Sequence, residues 1–208
     1  MPFPLRAIVG AIALMLLSSC TSSVKYSNVF ERPKQPYQEV NSVFLTSKLN
    51  GMSYHFTKAG YDDLGELFRE RAPLVLGANG IRTKTTVVRY DDTKPTQLDE
   101  VMAWAKADGR TGPVLLLNVA SGREYYSSQS GRTLWLTLQA NLYNPASKRR
   151  EWTSQLEIQL VRTPLVELFE PTKFDKAWMD GALKLVLEQM AKERFIQLPK
   201  NEAVSPAA

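Results

Sequence analysis

Between Thr133 and Val161 the chain alternates apolar and polar positions with a period of two. Leu134, Leu136, Leu138, Ala140 and Leu142 take one side, while Thr133, Trp135, Thr137, Gln139, Asn141 and Tyr143 take the other. Successive side chains of a strand point to opposite faces, so the first set predicts a core face and the second a polar face. Asn144 to Lys148, with Pro145, reads as a hairpin connection. Arg150 to Val161 alternates again, with Trp152, Ser154, Leu156, Ile158 and Leu160 on one face. Val114-Leu115-Leu116-Leu117 is apolar without a break, as expected of a strand buried on both faces at the centre of a sheet. It is expected to run on through Tyr125 and Tyr126 to a turn over 127–131. Two further strands are predicted at Ser42 to Leu49 and Thr83 to Tyr90.

The remaining pattern has a period of 3.6. Leu64, Leu67, Phe68, Leu74, Val75 and Ala78 predict a helix over 61–78, kinked or split near Ala72 by Pro73 and stopped by Gly80. Asp62 and Asp63 are expected at its start, where carboxylates suit the helix dipole. A second helix is predicted over Gln97 to Asp108 with Thr96 as its cap, and a third over Phe174 to Phe195, with Phe174, Trp178, Ala182, Leu185 and Val186 inward. The order is β-α-β-α-β-β-β-α. That is a mixed α/β (α+β) single domain, a sheet with helices packed on it, spanning 42–197. Residues 20–41 are polar with Pro33 and Pro36 and read as a flexible tether, the alternative being that Tyr37 to Val40 packs on the domain as an edge segment; 198–208 reads as a disordered tail.

The first nineteen residues have a different pattern. One cation, Arg6, precedes an apolar run from Ala7 to Leu17, and Ser18-Ser19 follows. This is the layout of a secretory signal peptide; the run is shorter than the roughly 20 apolar residues a helix needs to cross a bilayer. Leu17-Ser18-Ser19-Cys20 resembles the lipobox of bacterial lipoproteins. The resemblance implies cleavage before Cys20, a diacylglycerol on its thiol and a fatty acyl group such as palmitate on the new α-amine. Two or more chains hold a protein stably to a membrane. Thr21 stands where an Asp would favour the inner membrane, so the resemblance implies the outer membrane, facing the periplasm. An ordinary signal peptide is the alternative, and it would leave one free terminal thiol.

Composition narrows the chemistry. The chain is 44% hydrophobic and 23% charged, with a net charge of +5. Its cations are spread along the sequence, and export argues against nucleic acid as a partner. Cys20 is the single cysteine, so its acylation removes thiol catalysis, disulfides and iron–sulfur clusters from the mature body. His55 is the single histidine, which excludes a multi-histidine metal site. Asp91-Asp92 reads as turn chemistry, and Ser127 to Gly131 lacks a nucleophile elbow. No catalytic residue, metal site or cofactor is predicted.

What the sequence offers is a surface. Arg123, Tyr125, Tyr126, Arg132 and Trp135 gather around the long β-hairpin, and with Tyr143 they are the candidate partner-binding residues, since Arg, Tyr and Trp are the residue types enriched at binding hot spots. Trp135 and Tyr143 lie on the polar face, which either meets a partner or is covered by a helix. Lys148-Arg149-Arg150 reads as a solvated turn or a contact for anionic lipid or cell-wall polymer. The element order is similar to that of lipid-anchored activators of penicillin-binding proteins (the LpoB type) and of the N-terminal part of TolB. That likeness assigns no binding residue. The expected function is a non-enzymatic binding, scaffold or accessory subunit of an envelope protein complex, held to the membrane by its lipid anchor. The alternative is a periplasmic binding module for a lipid, peptidoglycan or another small ligand.

Overall fold

The computed structural model describes residues 19–47, 58–90, 103, 112–127, 131–162, 174 and 176–199. Its elements are β1 (Ser19–Val29), β2 (Asn41–Ser47), α1 (Lys58–Ala78), β3 (Thr85–Tyr90), β4 (Val114–Ser127), β5 (Gly131–Asn144), β6 (Arg149–Arg162) and α2 (Lys176–Lys192). They form one domain around a sheet of order β1-β6-β5-β4-β2-β3. β2 pairs in parallel with both β3 and β4, as a helical crossover requires; β4, β5, β6 and β1 are antiparallel neighbours. This is the mixed α+β fold that the hydrophobic pattern predicts. The expected continuation of the apolar run is also present, since β4 reaches Ser127 through a bulge between Val119 and Ser121. Of the helix expected over Gln97 to Asp108, only Ala103 is described, and it is helical.

The alternating leucines of β5 and the Trp152, Leu156, Ile158 and Leu160 face of β6 are buried against both helices. Phe44 stacks on Phe68 of α1 at 5.0 Å between ring centroids, and Trp152 meets Phe195 at 6.2 Å. From α2, Trp178, Met179, Ala182, Leu183, Val186, Leu187 and Met190 enter the same core. Leu185 is only half-buried, one position around the helix from the stripe. A smaller cluster of Val43, Leu45, Val114 and Leu116 lies on the opposite side of β2 and β4.

The segment expected to be a tether is structured. β1 pairs with β6 from Ser19 to Val29, and Val24 and Val29 pack against the core. Beyond it, Tyr37 N–H donates to the Phe195 carbonyl at 2.7 Å and Val40 N–H to that of Arg82 at 2.9 Å. The physical reason is the open edge of β6, whose backbone groups need partners that a Ser-rich strand can supply. The tail is corrected at its first residue, because Leu198 packs on the core; residues 200–208 lie outside the described residues.

α1 also departs from expectation. It runs unbroken through Pro73. Pro73 is exposed, so the Arg69 carbonyl that loses its donor faces water. The helix begins at Lys58, which puts Asp62 and Asp63 beyond its first turn. Its C-terminus closes as predicted at Gly80, with φ of 74°. Gly80 N–H bonds the Gly77 carbonyl at 2.9 Å and Ile81 N–H the Leu76 carbonyl at 3.0 Å, a Schellman closure.

Candidate interaction surface

Both helices pack on the Leu134–Leu142 side of β5, so neither covers Trp135. On this other face of the sheet a line of side chains crosses four strands. Arg123 of β4 lies directly opposite Trp135 of β5, with its guanidinium carbon 5.2 Å from the ring centroid. Arg123 also approaches Glu157 of β6 at 3.7 Å, and Lys25 of β1 holds the same carboxylate at 2.9 Å. The cation over the ring is a cation–π contact, with the Arg123 side chain 71% exposed. Tyr125 is 58% exposed, two positions along β4 from Arg123 and so on the same face. Around this line the face is polar and uncharged, with Thr137, Gln139, Gln155 and Gln159 half-buried.

Of the predicted residues, Arg123, Tyr125 and Trp135 share this face at one end of the sheet, whereas Arg132, three positions from Trp135, takes the opposite face at the same end. Tyr126 lies opposite Arg132 in the β4–β5 register, and Arg132 is half-buried. Tyr143 does not belong to this group. It pairs with Val114, eight positions and about 26 Å along β5 from Trp135 at ~3.3 Å per residue. There it packs on the smaller apolar cluster, and burial pushes its phenol above the usual range. Cys20, the second residue of β1, lies opposite Leu160, one row from Trp135. Lys148, Arg149 and Arg150 are exposed at the far end of the sheet, with Arg150 4.8 Å over the Phe30 ring.

Two buried polar groups went unread in the sequence. Glu151 is 2% exposed. It accepts hydrogen bonds from the Tyr37 hydroxyl at 2.7 Å and Asn144 Nδ2 at 2.8 Å. Burial first, then the Glu151 carboxylate, push the Tyr37 phenol far above the usual tyrosine range. Trp152 Nε1 donates to Ser27 Oγ at 2.9 Å and to Glu193, which also accepts from Gln189 at 2.7 Å. Both groups bind residues 27–37 to the core. The available signal was a carboxylate, Glu151, beside the inward Trp152. Between the helices, Arg71 grips Asp180 with bonds of 2.7 and 2.6 Å, and holds that carboxyl below the usual range.

His55, Asp91 and Asp92 lie outside the described residues. Among the described residues, no group of three or more His, Cys, Asp or Glu is placed to hold a metal ion. None of the described helices is long and apolar enough to cross a membrane. An open groove of about 600 Å³ runs between the 32–36 segment and the end of α2, lined by Arg32, Lys34, Arg194, Ile196 and Leu198.

No family model matches the chain, and neither does any curated protein. Among solved structures it is similar to a PelC dodecamer structure from Paraburkholderia phytofirmans at 13% identity, covering 87% of this chain and 100% of that one, with a TM-score of 0.44. The lipoprotein GNA1162 from Neisseria meningitidis is 13% identical over 74% of this chain and 99% of that one, with a TM-score of 0.43. A minor lipoprotein from Acinetobacter baumannii is 13% identical over 76% and 95%, with a TM-score of 0.33. Structural neighbours thus include bacterial lipoproteins; at these scores no residue role follows from them.

Proposed function

We propose that this chain is a lipid-anchored, non-enzymatic protein of the bacterial cell envelope that holds a protein partner on the face of its sheet that bears Trp135. The observation that carries the reading is Arg123 over Trp135 beside the exposed Tyr125, on a face that neither α1 nor α2 covers. A large ring half-sheltered by a cation, ringed by uncharged polar side chains, has the make-up of a binding hot spot. The anchor is supported by Leu17-Ser18-Ser19-Cys20, and Thr21 in place of Asp supports the outer membrane, facing the periplasm. An accessory subunit of the LpoB kind is one form the role would take. Affinity capture of the intact acylated protein from envelope extract tests it. Trp135→Ala is expected to weaken the partner by about 2 kcal/mol, roughly 30-fold. Equal recovery of every captured protein by wild type and variant would remove this face from consideration.

The alternative is a binding module for a lipid, peptidoglycan or another small ligand. It is favoured by the open groove with Arg32, Lys34 and Arg194, which suits an anionic group. Retention of anionic wall fragments that is lost in Arg194→Ala would support it; retention unchanged by that substitution would not.

A further inference from the structure

Antiparallel pairing fixes the end of the sheet at which the chain enters the domain. Ser19 lies opposite Val161, Val161 opposite Thr133, and Thr133 opposite Tyr125. One row therefore joins the first residue of β1 to the last residues of β4. Arg132 and Arg162 form the next pair outward. Whatever precedes Ser19 leaves the domain beside these residues. β1 is paired from its first residue, so no slack separates it from the body.

The chemistry of that end suits a bilayer surface. By register, Arg123, Arg132 and Arg162 stand in these outer rows together with Glu124, and Glu157 lies two rows inward of Trp135. Tyr125, Tyr126 and Trp135 lie within the same rows. Tyr and Trp favour the headgroup level, where an apolar ring and a polar tip are both accommodated. Each cation near anionic headgroups adds roughly 1 kcal/mol of attraction.

We infer that the β4–β5 end of the sheet rests on the bilayer and that the sheet stands upright from it, with the β5–β6 turn pointing away. This rests on the anchor at Cys20 proposed above. β6 has 14 residues, so the far turn stands about 40 Å from the membrane at ~3.3 Å per residue. That is several times the Debye length of ~8 Å, so Lys148, Arg149 and Arg150 are out of electrostatic reach of the lipid. The face carrying Arg123 and Trp135 stands side-on to the membrane plane, with both residues near headgroup level.

Cys20 is the chain's single cysteine, so its acylation leaves an introduced thiol as the one labelling site. Full-length acylated Ser127→Cys and Ala146→Cys, each carrying an environment-sensitive fluorophore, are reconstituted in phosphatidylethanolamine–phosphatidylglycerol vesicles containing brominated lipid. The label at position 127 is expected to shift to the blue and lose most of its emission, and the label at 146 to keep its emission in water. Vesicle-bound, acylated protein with both labels in water, or with 146 quenched in place of 127, overturns the orientation and leaves the anchor standing. A bare N-terminal residue by mass spectrometry, with the protein left in the supernatant, overturns the anchor and the orientation with it. Tyr125→Cys replaces Ser127→Cys if the latter lacks the wild-type circular dichroism.

Discussion

Glu151 occupies a position that the alternation of β6 assigns to solvent, yet it is 2% exposed. Its donor, Tyr37, comes from 114 positions earlier in the chain, and no local pattern carries that information. Tyr37→Phe removes a donor from a buried carboxylate and is expected to cost about 1–3 kcal/mol in urea denaturation. The pH dependence has a definite sign. The folded state holds the Tyr37 proton more tightly than the unfolded chain does, so this stabilisation is whole below the ordinary tyrosine range and is lost as pH rises through and beyond it. Tyr37→Phe should flatten that alkaline loss; an unchanged alkaline limb would remove Tyr37 as its source. The pairing of Arg123 with Trp135 was readable as a cluster because the hairpin is tightly patterned. Tyr143 shares the face of Trp135 as the alternation predicts, but a shared face says nothing of separation along it.

At the scale of elements, the sequence was legible wherever the period held. β5, β6, the apolar start of β4 and the inward stripe of α2 follow directly from it. β1 was not legible. Its core-facing positions are Ser22, Val24, Ser27 and Val29, by their pairing with β6, and the bulge between Val24 and Tyr26 breaks the alternation. Two valines five positions apart do not announce a strand. Its amides bonded to β6 are expected to exchange slowly with deuterium, whereas a tether would exchange them all at once. The helices are joined by Arg71 and Asp180. The guanidinium lowers the carboxyl's pKa, so the stabilisation is present above the ordinary carboxylate range and fades as pH falls through the folded-state value. Asp180→Asn should therefore lower Tm by a few degrees at neutral pH, with the deficit shrinking in acid. α2 closes as α1 does, with Phe195 N–H on the Met190 carbonyl at 2.9 Å, but with Arg194 at φ of 69° where α1 has glycine. Arg194→Gly is expected to raise stability by about 0.5–1 kcal/mol, since a left-handed side chain costs more than glycine's added freedom.

For the molecule as a whole, the described elements place α1 and α2 on one side of the sheet and the Arg123–Trp135 row on the other, with Ser19 at one end and the basic turn at the other. The distribution of charge was visible in the sequence, but its separation into two ends depends on β1, and so it could not be read without the strand. β1 is also the border of the sheet, and its ladder to β6 shifts register at Lys25. A straight border offers evenly spaced backbone groups on which another copy could lay its own strand. Here a kink and an ammonium group interrupt the spacing midway. With the anchor proposed above, molecules confined to a plane would collide far more often than molecules free in three dimensions, and the irregular rim would let them crowd together without fusing into a continuous ribbon.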